Sequence, residues 1–151
     1  MAAIKTASKV TPKASKGKGF SAEEKAAMRQ RVKELQAASN RADEEKALLA
    51  KIAEMQPADR ALAKRLHAVV KENAPDLAPK LWYGMPAYYK DGKLLLWFQD
   101  ARKFKTRYPT VGFSDQANLD EGAIWPVAYA LTKLTATEEA RIIALLKAAV
   151  S

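Results

Sequence analysis

Leu81-Trp82-Tyr83-Gly84-Met85-Pro86-Ala87-Tyr88-Tyr89, then Lys90-Asp91-Gly92-Lys93, then Leu94-Leu95-Leu96-Trp97-Phe98-Gln99: the reading of this run decides the fold. Asp91-Gly92 is the strongest short hairpin signal, because both residues tolerate the positive φ that a two-residue turn needs. It joins a strand near Trp82 to Tyr89, bent at Gly84-Met85-Pro86, to a strand from Lys93 to Gln99. The second of these is apolar on both faces and belongs in the middle of a sheet. Within it Trp97 points opposite to Leu96 and Phe98.

Working outward, Ala101 to Lys103 is expected to turn the chain. In the strand expected next, Phe104, Thr106 and Tyr108 alternate with Lys103, Lys105 and Arg107, which puts cations on the face opposite Phe104. Ser114 to Gly122 is a polar loop, and Ala123 to Leu131 a last strand that Pro126 assigns to an edge. Ser21-Ala22-Glu23-Glu24 is a capping box opening a helix to about Ala38, with Met28, Val32 and Leu35 as a thin apolar stripe and Ser39-Asn40-Arg41 as its end. A second helix starts at Asp43 and a third at Pro57, the latter carrying Leu62, Leu66, Val69 and Val70 to about Asn73. Thr135-Ala136-Thr137-Glu138 caps a terminal helix bearing Ile142, Ile143, Leu145, Leu146 and Val150. The fold class is therefore α+β: a two-layer sandwich with an antiparallel sheet of about four or five strands and the amino- and carboxy-terminal helices on one face. The organisation expected is a lysine-rich disordered tail over 1–19, a helical extension over 20–42 and the α+β domain over 43–151.

Among 151 residues the net charge is +9, and 48% are hydrophobic. No apolar run approaches the roughly 18 residues of a membrane span, so no membrane partner is expected. The absence of cysteine removes disulfides, thiolate zinc sites and thiol catalysis, and a cytoplasmic setting is the expectation. The tail holds Lys5, Lys9, Lys13, Lys16 and Lys18 with no acid, a pattern that attracts polyanions without reading sequence and also serves as a solubilising end.

The motifs for chemistry are weak. Gly17-Lys18-Gly19 with Ala22 fits a dinucleotide pattern in spacing, but a lysine-rich tail stands where a strand is needed. Gly112-Phe113-Ser114-Asp115-Gln116 lacks the second glycine of a nucleophile elbow. His67, the one histidine, lies beside Leu66 on a helix, the usual place of a space-filling boundary residue. The carboxylates Asp43, Glu44, Glu45, Glu54 and Asp59, with Asp115, Asp120 and Glu121 in the loop, are the oxygen donors for a hard cation, but no spacing forces them together, and Lys46, Lys51 and Arg60 lie among the helical ones. If Trp97 shares an open sheet face with Lys103, Lys105 and Arg107, that face stacks on single-stranded nucleic acid or cradles an anion; otherwise Trp97 is covered and the cations are merely solvated.

At Trp82-Tyr83-Gly84-Met85-Pro86-Ala87-Tyr88, Asp91-Gly92-Lys93 and Tyr108-Pro109-Thr110-Val111-Gly112-Phe113 the chain resembles the YdhG-like domain-of-unknown-function family, over about Ala47 to Val150. The resemblance implies an α+β sandwich related in shape to the frataxins, with a helical extension like that of some bacterial members. One branch of that family is described as iron chaperones, so iron is the cofactor or cargo it implies. Here the helix Ala58 to Asn73 sets Arg60, Lys64, Arg65 and Lys71 against Asp59 and Glu72, unlike an acidic iron-handling ridge. The expectation is a small binding or chaperone-type domain with no catalytic residues, its ligand cleft near Trp82, Tyr83, Gly84, Met85, Pro86, Tyr88 and Trp97. The alternative is a nucleic-acid accessory protein binding through the tail and the basic face.

Overall fold

The computed structural model describes residues 21–151. The tail over 1–19, with its glycine motif, lies outside them. The chain divides into two compact units, one ending at Asn40 and one spanning Arg41–Ser151. In the first, the Ser21 amide donates to Glu24 Oε1 at 2.8 Å and the Glu24 amide donates to Ser21 Oγ at 3.1 Å, closing the capping box read from the sequence. Met28, Val32 and Leu35 are exposed.

Helix α1 runs without a break over Ala22–Ala53, so the expected end at Ser39-Asn40-Arg41 does not occur. Ser39 and Asn40 are only mild helix formers, but Arg41 is a good one, and with neither glycine nor proline among them nothing forces a stop. The Gln36 side chain instead donates to Asn40 Oδ1 at 3.2 Å along the helix. Helix α2 covers Pro57–Asn73, and Pro57 needs no partner for the amide it lacks.

Five strands follow: β1 Ala78–Trp82, β2 Met85–Lys90, β3 Lys93–Gln99, β4 Thr110–Phe113 and β5 Ala128–Ala130. They form an antiparallel meander in the order β1-β2-β3-β4-β5, which places β3 at the centre and β5 at an edge. A short α3, Ala101–Phe104, separates β3 from β4. Helix α4, Ala136–Val150, ends the fold, and its Glu138 carboxylate accepts from both the amide and the hydroxyl of Thr135.

Two departures from the sequence reading bear on the site. The bent strand is two strands, joined by a tight turn at Tyr83-Gly84, where φ is +50° and +76°. The strand expected through Phe104 and Tyr108 is absent. Asp100 starts one helical turn, Lys105 ends it in the left-handed region at φ +56°, and the Asp59 carboxylate accepts from the Arg102 amide at 3.0 Å. That bond satisfies an orphan helix-start donor, a gain the alternation over Lys103 to Tyr108 cannot match.

The register sorts the sheet into two faces. Tyr88, Leu96 and Phe113 are cross-strand neighbours, as are Phe98, Val111 and Tyr129. These side chains pack against Leu48 and Ile52 of α1, Leu66, Val69 and Val70 of α2 and Ile142 and Leu146 of α4. Removing each large aliphatic or aromatic side chain of that core from water contributes about 1.5–3 kcal/mol. Tyr88 pairs with Leu96 and Tyr89 with Leu94, leaving Leu95 as an extra, fully buried residue in β3. On the opposite face Ala87, Trp97, Gly112 and Ala128 form one cross-strand row.

Candidate functional site: an aromatic shelf on the open sheet face

Trp97 stands on that row between the two smallest residues of the neighbouring strands, Ala87 on β2 and Gly112 on β4. The indole fills the trough they leave. An added Cβ at Gly112 would lie 2.3 Å from Cζ2 of Trp97, so the ring rests directly on the β4 backbone. Trp82, on the same face, packs against it with ring centres 5.0 Å apart, and Tyr83 meets Trp82 edge-on at 5.2 Å. Met85 and Ala87 are buried, yet neither belongs to the core beneath the helices, so the tryptophans close a second small apolar layer of their own. Both indoles remain partly open to solvent, and Tyr83 is 81% exposed.

Tyr83 holds a backbone conformation that suits glycine or asparagine. A non-glycine residue in the left-handed region costs about 1 kcal/mol, and its exposed ring returns little through burial. The strained turn closes the β1–β2 hairpin, and it holds the exposed tyrosine ring at the end of the aromatic row.

The cleft residues expected from the sequence therefore separate. Trp82, Met85 and Trp97 share the shelf, with Tyr83 and Gly84 at its rim. Pro86 and Tyr88 do not belong to it: alternation along β2 turns both into the core, where they are fully buried. The three cations of the expected basic strand are also dispersed. Lys103 lies on α3 with its ammonium 2.7 Å from where a Cβ of Gly84 would be. Lys105 caps that turn, and Arg107 stacks over Tyr108 at 4.9 Å. Lys80, which no motif singles out, supplies a cation on the shelf side of β1, 5.5 Å from the Tyr89 ring and 3.5 Å from Glu44.

His67 is no lone boundary residue. Its Nδ1 is 2.9 Å from the Tyr88 hydroxyl, and its Nε2 is 2.9 Å from Glu45 Oε2, whose other oxygen accepts from Lys71 at 2.9 Å. Partial burial opposes ionisation of Glu45, but the Lys71 and His67 hydrogen bonds prevail and hold its pKa below the usual carboxylate value. Burial, helped by the charge of Glu45, pushes the Tyr88 phenol upward, so it stays protonated. The chain of groups pins α1, α2 and β2 together. Its members lie 22 and 21 residues apart, too far for any local motif to reveal them.

Among the described residues no three His, Asp or Glu side chains converge on a point that would hold a metal ion. Glu45 is engaged with Lys71 and His67, Glu54 with Lys51, and Asp59 with a backbone amide. This donor set does not fit iron. No described helix is long and apolar enough to cross a membrane. Comparison with protein-family models, curated proteins and solved structures gives no match to the chain.

Proposed function

We propose that the chain is a binding domain without catalytic chemistry, of the YdhG-like kind, that takes single-stranded nucleic acid on the shelf of Trp82, Tyr83 and Trp97. One observation carries this reading: two packed indoles and a strained, exposed tyrosine lie on the sheet face that the helices leave bare. Bases of any identity stack on such rings, and Lys80 and Lys103 at the margins attract the backbone phosphates. The iron reading implied by the family resemblance has no converging ligand set in its favour among the described residues.

Titrating the full chain with a fifteen-residue oligothymidylate while following tryptophan fluorescence tests it. Saturable quenching is expected, with an affinity that falls as salt rises, by a slope of about −0.7 per phosphate neutralised. Trp82→Ala is expected to weaken binding by about 1–3 kcal/mol. Tyr83→Asn separates binding from folding: it is expected to raise stability by up to about 1 kcal/mol, since asparagine accepts the turn, while weakening the oligonucleotide complex. Absence of quenching, or Tyr83→Asn binding as tightly as the parent, rejects the shelf.

A further inference from the structure

Beside the turn at Gly84 is a cleft of about 270 Å³. Its walls come from Lys51 and Glu54 at the end of α1, from Gly84 and from Asp100, Arg102 and Lys103. The volume is far above the roughly 10–15 Å³ that admits one water. Asp100 is 3% exposed, and its Oδ1 is buried with no hydrogen-bond partner. Its place before α3 offers it the usual capping role, but it makes no side-chain cap bond. A buried carboxylate oxygen without a donor is destabilising, and native folds rarely leave one. The same cleft is lined by three cationic residues, Lys51, Arg102 and Lys103, and by two acidic ones, Asp100 and Glu54. Only the Lys51–Glu54 pair is formed, at 3.6 Å.

The geometry points to a binding site for a small zwitterion, a compound with a primary ammonium at one end and a phosphate or carboxylate at the other. The ammonium supplies the N–H donors and the charge that Asp100 lacks. The oxyanion is held by Arg102 and Lys103, whose groups form no ion pair with a carboxylate among the described residues. A bare anion would satisfy the cations and leave the Asp100 oxygen orphaned. A metal cation would meet three positive side chains. Gly84 fits the same purpose, because its hydrogen is what lets the Lys103 ammonium lie against the turn. Neither indole lines the cleft, and Gly84 and Lys103 are the residues it shares with the margin of the shelf.

The test is an amide-resolved NMR titration of the full chain with O-phosphoethanolamine, β-alanine, inorganic phosphate and ethanolamine. At least one of the two zwitterions is expected to shift the amides of Gly84, Arg102 and Lys103 saturably, at least tenfold more tightly than phosphate or ethanolamine alone. Which zwitterion binds better identifies the oxyanion. Asp100→Asn is expected to weaken the zwitterion at least tenfold, with phosphate binding and oligothymidylate quenching unchanged. Should that variant melt early, Arg102→Met replaces it, expected to weaken zwitterion and phosphate alike but not ethanolamine, with oligothymidylate quenching again unchanged. No saturable shift with either zwitterion, or phosphate binding as tightly as the better one, overturns the proposal. The unchanged oligothymidylate response keeps its failure distinct from failure of the shelf.

Discussion

Gly112→Val is expected to lower stability by about 3 kcal/mol and to dismantle the aromatic shelf in the same stroke. Besides Cζ2 at 2.3 Å, the added Cβ would lie 2.5 Å from Cε2 of Trp97, where real carbon atoms do not approach. Relief by a small shift is blocked. Trp97 is on the central strand, paired directly with Gly112, and Trp82 closes its outer side at 5.0 Å. The indole must leave its trough, uncovering Met85 and Ala87. Gly112 has an ordinary φ, so the loss is steric and owes nothing to the conformational freedom of glycine. Urea unfolding checks this through a lower midpoint at unchanged slope. A smaller residue at 97 should relieve the same Cβ clash in the milder change: Gly112→Ala with Trp97→Leu is expected to be more stable than the sum of the single changes by 1 kcal/mol or more. Strict additivity would mean that the ring does not rest on this glycine. Loss of oligonucleotide binding in Gly112→Val, with the double change recovering stability but not binding, would tie the shelf to function.

How much of this was legible in the sequence differs from residue to residue. Asp91-Gly92 announces its turn, because aspartate and glycine are themselves residues that accept positive φ. Tyr83-Gly84 has the same geometry but hides it behind a tyrosine, so two strands read as one bent strand. Thr135 and Glu138, three apart, show their capping role locally. The break of the supposed basic strand is not local at all: the acceptor that favours α3 is Asp59, 43 residues earlier in the chain. The opposition of Trp97 to Leu96 and Phe98 follows from the period of two, and the structure has it so. That the tryptophan has glycine and alanine as neighbours depends on register, which sequence alone does not supply.

His67→Ala carries the other large effect, an expected loss of about 3–5 kcal/mol at neutral pH. The change empties a buried volume, leaves the Tyr88 hydroxyl with no partner inside the core, and strips Glu45 of one of its two hydrogen-bonded neighbours. The ring satisfies both neighbours in either protonation state. As neutral imidazole it donates from Nε2 to Glu45 and accepts the phenol proton at Nδ1; as imidazolium it donates to both oxygens. Two of the partners carry a pH dependence of their own. Glu45 has a lowered folded pKa, so its contribution is full above the unfolded value near 4.5 and is lost as the pH falls through the folded one. Tyr88 has a raised folded pKa, so its contribution is full below the unfolded value near 10.0 and is lost as the pH rises beyond it. Tyr88→Phe is expected to cost about 1–2 kcal/mol at pH 7, where it deprives His67 of a partner. Above pH 10 the same variant should lose stability less steeply than the parent, by up to about 1.4 kcal/mol per pH unit. Thermal melts of both proteins between pH 7 and 11 read the difference. Parallel decline above pH 10 would show that the phenol of Tyr88 is not held in its protonated form, and a loss under 1 kcal/mol in His67→Ala would show that the three elements do not hang on this histidine.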